Sequence, residues 1–204
     1  MTSETETAYP DIRDPRVMVA VPRARREAVS ALWALGERLT NLLREAREPL
    51  IGQIKLAWWR DMMAMLALNP AALPKGEPLL AELQATWAGQ GGLDALVDGA
   101  EAMLLAEDDG ARQEAAAMFG DALFRLSGGG NGTRWGLVWG AALQDNEAQA
   151  MTLFAAAKDR SAAFAGPRAL RMLDRWAATI AAHDGERRWR SEGLLLIRIG
   201  LLGR

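Results

Sequence analysis

The sequence predicts an all-α protein, a single helical bundle, and three observations carry that expectation. Apolar residues recur at three- and four-residue spacing with no strand-like alternation. Ala and Leu dominate while β-branched residues are sparse, the composition of packed helices. Pro22, Pro49, Asn69-Pro70 and the run Gly128–Gly132 punctuate the pattern where helices should start or stop. At 204 residues the chain can bury roughly 70% of the surface its unfolded form exposes, enough for a core without staples.

Pro22 suits a first helical turn, and 23–46 then places Ala28, Leu32, Leu35, Leu39, Leu42, Leu43 and Ala46 on one stripe. Pro49 opens a second helix to about Leu68, where Asn69-Pro70 ends it. The stretch 69–78 holds three prolines and a glycine and reads as a loop. Helices follow at 79–89, 93–106 and 109–127, the last capped by Asp108 or Asp109. After the glycine run, Thr133 is expected to cap a helix to about Gln144 and Asp145 to cap the next. Pro167 sits near the start of another, and the final helix spans about 186–202. The expected division is a polar N-terminal arm, 1–21, and one all-α domain, 22–204. There is no internal repeat and no Pro- or Ser-rich linker.

The charge balance, 24 Lys+Arg against 26 Asp+Glu for a net −2, removes bulk electrostatics as a reason to bind nucleic acid. Zero cysteines exclude disulfides, thiolate metal sites and Cys nucleophiles, and fit a reducing compartment. One histidine, His183, rules out a His-rich metal centre; before Asp184-Gly185 it reads as an ordinary C-terminal capping cation. The acidic, polar start Met1–Pro10 has neither a secretory nor a transit pattern. The longest apolar run, Gly193–Leu202, is interrupted by Arg198 and falls short of the about 18 residues a spanning helix needs. A cytoplasmic protein is the expectation.

Several features invite a chemical reading. The glycines at 128–132 follow a helix rather than a strand, and no Lys-Ser/Thr follows them. They read as a helix-to-helix connection, not a phosphate cradle. Asp94 and Asp98 lie four apart on one helix face, the spacing with which two carboxylates hold Mg²⁺ on a diphosphate. Metal chemistry on diphosphates needs a facing carboxylate cluster as well, and Asp94 equally suits a first helical turn. Eight tryptophans accompany one tyrosine. Trp33, Trp58, Trp135 and Trp139 read as core, or as an aromatic wall for an apolar ligand such as a polyprenyl chain, and the two readings are compatible. The tail, Arg187-Arg188-Trp189-Arg190 and then 193–202, reads as the last core helix or as a helix lying on an anionic membrane surface.

Residues 23–66 resemble the squalene/phytoene synthase family, and most closely its short divergent branch that includes a respiratory complex I assembly factor. Ala31-Leu32-Trp33-Ala34-Leu35 is similar to that family's "ALYAF" element, and Ile54-Lys55-Leu56-Ala57-Trp58-Trp59-Arg60-Asp61 to its "R-x-x-W-W-R-D". Leu96-Val97-Asp98-Gly99 and the Trp135–Trp139 stretch extend the resemblance more weakly, to about residue 145. The resemblance implies a shortened isoprenoid-synthase fold around a central cavity, in which active members join prenyl diphosphates using two Asp-rich motifs and Mg²⁺. By position the first motif's aspartates fall at Thr40 and Arg44. The second retains at most Asp145, with Gln149 four residues on. A cation at 44 opposes Mg²⁺. Arg44, with Arg38 and Arg47, could hold a diphosphate directly, but a four-apart ion pair between Arg44 and Glu48 is the preferred reading.

The resulting expectation is a protein without prenyl transferase activity, with no catalytic residue, metal ligand or cofactor. It would act by binding a partner protein, an isoprenoid lipid, or a membrane surface through the C-terminal helix, with respiratory-complex assembly as the most concrete version. Trp33, Thr40, Arg44, Trp58, Trp135 and Trp139 are its candidate cavity residues. The alternative is an active Mg²⁺-dependent transferase with a remodelled site built from Asp61, Asp94, Asp98 or Asp145. A third reading is a helical interaction module whose cavity is filled by tryptophans.

Overall fold

The computed structural model describes residues 9–46, 48–160, 164–187, 192–194, 196, 198 and 199. Among them every regular element is a helix. A short α1 (Pro15–Met18) precedes a 3₁₀ turn at Arg23–Arg25, which leads into α2 (Arg26–Glu45). There follow α3 (Pro49–Leu68), α4 (Pro78–Trp87), α5 (Asp94–Leu104), α6 (Asp109–Ser127), α7 (Thr133–Ala141), α8 (Glu147–Lys158) and α9 (Arg168–Ala182). Helices α3 and α4 open with proline in the first turn, where the missing N–H costs nothing. The described residues of 192–199 are also helical; Arg188, Trp189 and Arg190 lie outside the described residues.

Two expected caps move by one residue. Asn146, not Asp145, caps α8, its Oδ1 accepting from the N–H groups of Ala148 and Gln149. Thr133 lies inside α7 rather than before it. Its hydroxyl and the Gly132 N–H both donate to the Asp121 carboxylate of α6. The glycine run begins as the C-cap of α6. Gly128, at φ 135°, allows the Gly129 N–H to reach the Phe124 carbonyl and its own N–H to reach that of Arg125.

Helix α6 packs most extensively on α7 and α5, and α7 in turn on α8 and α9. Close approach of α6 and α7 depends on glycine. A Cβ at Gly136 would stand 2.0 Å from the Ala116 carbonyl oxygen, and one at Gly120 2.4 Å from that of Gly132. Farther along, α7 is tied to α9 by a buried ion pair, Arg134 Nη1 standing 2.7 Å from both Asp174 oxygens. Burial pushes the Asp174 carboxyl above the usual range, and Arg134 only partly offsets that.

One continuous hydrophobic core runs from Tyr9 to Ile199. The described part of the expected polar arm belongs to it, because Tyr9, Ile12, Val17 and Val21 are all buried. At the other end, the buried Glu192 carboxylate accepts from Trp176 Nε1 at 2.8 Å and pairs with Arg187, while Leu196 and Ile199 turn into the core. No helix among the described residues is long and apolar enough to cross a membrane.

Candidate functional site

The interior where α2, α6 and α7 meet is aromatic and closely filled. Trp135 meets Trp33 edge-on at 5.1 Å between ring centroids and Tyr9 at 5.7 Å, and Phe119 stacks on Trp139 at 4.0 Å. Each indole N–H has an acceptor: Trp33 the Ser127 hydroxyl, Trp135 the Pro10 carbonyl, Trp139 the Thr40 hydroxyl. The Thr40 hydroxyl donates in turn to the Gly36 carbonyl at 2.7 Å. Buried polar groups require such partners. The void left between Tyr9, Trp33, Thr40, Phe119 and Trp135 measures about 10 Å³, which is no more than one water.

Four of the six candidate cavity residues, Trp33, Thr40, Trp135 and Trp139, therefore come together, as packing. The other two lie elsewhere. Arg44 is exposed, its guanidinium 5.9 Å from the Tyr9 ring centroid. The expected Arg44–Glu48 pair does not form, because α2 stops at Glu45 and Glu48 belongs to the start of α3. An i,i+4 pair needs one unbroken helix. Trp58 is on the outside of α3.

Outside the core, α2, α3 and the start of α4 enclose a cleft of about 600 Å³, within the range of pockets that hold ligands or side-chain anchors. Its floor is Trp59 and Leu42, both buried, with Trp58 edge-on to Trp59 at 5.0 Å. One wall is braced by Arg38, which pairs with Glu77 at 2.7 Å and lies 6.0 Å from the Trp59 ring centroid. Glu77 also accepts from the Leu79 N–H, so one carboxylate caps α4 and anchors the wall. Asn41, Glu45, Ile54 and Lys55 complete the lining, and a smaller concavity of about 260 Å³ extends from Glu45 and Lys55 past Glu48 and Ile51.

Helix α3 turns two apolar faces in different directions. Leu56, Trp59, Met62, Met63 and Leu66 enter the core. Leu50, Ile54 and Trp58 form an outward row, 67%, 63% and 41% exposed, with Ile51 beside it. That row takes Ile54 and Trp58 from the Ile54–Asp61 segment singled out in the sequence, and of the row only Trp58 had been expected at a site. The missed signal was an excess of apolar positions on α3, more than a single buried stripe accounts for.

The carboxylates proposed for a remodelled metal site are all exposed: Asp61 on α3, Asp94 and Asp98 on α5, and Asp145 between α7 and α8. Asp98 and Glu101 are engaged by Arg60, at 2.7 and 2.8 Å. Among the described residues no three acidic or histidine side chains gather as a metal site.

Fold and site together define an all-helical protein with a filled aromatic interior and an open, half-apolar cleft on its α2–α3–α4 face. Comparison with known protein families, with curated proteins and with solved structures yields no match for this chain.

Proposed function

We propose that this protein works by binding another protein through its outer surface, as a non-catalytic, squalene/phytoene synthase-like helical module. The observation that carries the reading is the closed interior. Where the resemblance places a ligand cavity, Tyr9, Trp33, Thr40, Phe119 and Trp135 leave about 10 Å³. A prenyl chain needs a pocket of some hundreds of Å³, so retention of an isoprenoid inside the bundle is disfavoured relative to an external partner. Thr40, standing where a metal-binding aspartate would be required, is occupied by Gly36 and Trp139, and Arg44 leans on Tyr9. The cleft on α2–α3–α4 offers what a partner surface needs: buried aromatic floor, exposed aliphatic rim and charged edges. Respiratory-complex assembly is the most specific form of this proposal, and it rests on the sequence resemblance alone.

The deciding experiment is incubation of purified protein with Mg²⁺ and farnesyl or geranylgeranyl diphosphate, with pyrophosphate release measured. The expected rate equals that of the buffer control. Sustained turnover, abolished by chelating the metal, would overturn the non-catalytic reading in favour of the remodelled transferase.

A further inference from the structure

Segment 9–21 lies over the aromatic interior as a thin cover. Its one regular element is the single turn α1, and it buries Tyr9, Ile12, Val17 and Val21. Tyr9 and Asp11 close one side of the void whose other walls include Trp33, Thr40, Phe119 and Trp135. Two polar ties hold the cover to α7 and α2. The Pro10 carbonyl accepts from Trp135 Nε1, and Arg13 pairs with Glu37 at 2.8 Å, their side chains 27% and 42% exposed. A segment with few buried side chains and half-exposed ties opens locally at lower free energy than the helices it covers.

The third tie is shared with the other end of the chain. On α9, the Trp176 ring centroid lies 5.4 Å from the Arg16 guanidinium and 5.3 Å from that of Arg187. Trp176 Nε1 donates to the buried Glu192 carboxylate at 2.8 Å, and Arg187 Nη2 stands 3.0 Å from the same oxygen. A Cβ at Gly193 would stand 3.9 Å from Arg16 Nη1, so α1 reaches the start of the C-terminal helical segment itself. Asp14, paired with Arg16 at 2.6 Å, and Glu192 balance the two guanidiniums. Past that point Leu196 and Ile199 are buried in the core. One indole thus holds a cation from each terminal segment, and each cation is favoured by the ring face and by its own carboxylate. Ordering either segment fixes the ring for the other, and coupling of this kind is reciprocal.

We infer that Trp176 is a clasp joining the two terminal segments, so that 9–21 and the described residues of 192–199 open and close as one lid over the aromatic interior while α2 to α9 stay folded. Opening this lid uncovers Thr40 and the Trp33–Trp135 pair. Pyrophosphate release, which decides the non-catalytic reading, has no bearing on it.

Hydrogen exchange of the full chain, read by mass spectrometry, tests the coupling. Arg16→Ala should speed exchange in 9–21 about tenfold, the loss expected of one partly desolvated cation–π contact. It should also speed exchange at 192–199, where no residue has been changed. Glu192→Gln should do the converse, speeding 9–21 from the other end. Arg60→Ala, which removes an exposed ion-pair cluster between α3 and α5, should alter neither segment. The chain has no cysteine, so Thr40→Cys places a single thiol behind Tyr9. Its reaction with Ellman's reagent should be about tenfold faster alongside Arg16→Ala, in step with the lid's exchange. Ala100→Cys, buried on α5, should react no faster in that background. Unchanged exchange at 192–199 in Arg16→Ala, or at 9–21 in Glu192→Gln, would overturn the coupling. Unchanged reactivity at Thr40→Cys would overturn the opening, and so would equal acceleration at Ala100→Cys and in α5 and α6, which is global unfolding. Arg16 is a half-exposed side chain, so Arg16→Ala decides the coupling by exchange alone even where Glu192→Gln or Thr40→Cys fails to fold.

Discussion

Replacing Trp135 with alanine should be among the most damaging single changes in the bundle, and its size can be worked from the packing. The indole is 1% exposed, touches Tyr9, Trp33 and Phe124, and donates to the Pro10 carbonyl at 2.7 Å. Truncation removes roughly 140 Å³ of side chain, which at about 24 cal/mol per Å³ of unrelaxed cavity costs about 3 kcal/mol. The orphaned Pro10 carbonyl adds about 1 kcal/mol. With a urea m-value of about 2 kcal/mol/M, the unfolding midpoint should fall by about 2 M at unchanged m. Trp135→Phe keeps most of the ring and loses the N–H, and should cost well under half as much. Indole at about 100 times its Kd should return about 2.7 kcal/mol to the alanine variant by filling the hole. A loss below about 1 kcal/mol for Trp135→Ala, far under the usual range for a buried tryptophan, would refute the filled-interior argument and with it the basis for placing function on the outer surface.

Gly136→Ala drives a Cβ against the rigid Ala116 carbonyl and should cost more in thermal denaturation than Gly140→Ala, whose nearest neighbours are the Ala116 methyl and the flexible Met103 tip. Arg134→Met leaves the Asp174 carboxylate buried without its partner and should cost about 3–5 kcal/mol at neutral pH. Because the folded-state pKa of Asp174 lies above its unfolded value, ionising it costs stability as pH rises from the ordinary carboxylate range through that raised value. Without Arg134 the value rises further, so the deficit of Arg134→Met should shrink in urea melts at about pH 4, where the unfolded-state carboxyl is also half protonated. Ile54→Ser changes an exposed side chain and should lower stability by about 0.5 kcal/mol or less, and Trp58→Ser by about 1 kcal/mol through its edge-on contact with Trp59, both read in thermal melts. A large loss would place this row in the stabilising core.

Helix positions were legible because local chemistry sets them. Pro49, Asn69-Pro70 and Asp108 mark boundaries in the structure as they do in the sequence, since proline's missing N–H and a carboxylate cap act within one turn. Asn146 displaced Asp145 because neighbouring side chains of equal capping power differ only in their backbone angles. Residues 1–21 were expected to form a polar arm, and 9–21 are its described part. Seven of the residues 9–21 are apolar, five of them consecutive at 17–21, but a continuous run shows no single face, so only the bundle reveals that Tyr9, Ile12, Val17 and Val21 fill one of its seams.

Composition, periodicity and the capping residues determined that this chain is all-α, where α2 to α9 lie to within about three residues, and that its tryptophans are numerous enough to dominate a core. Whether those indoles line a cavity or fill one was decided only in three dimensions. Closure depends on how near α6 and α7 approach at Gly120 and Gly136, and on Tyr9 arriving against Trp135 from the far end of the chain. The outward direction of Ile54 and Trp58 was settled in the same way. A helix apolar on two sides can bury either, and the choice falls to whichever face its neighbours cover.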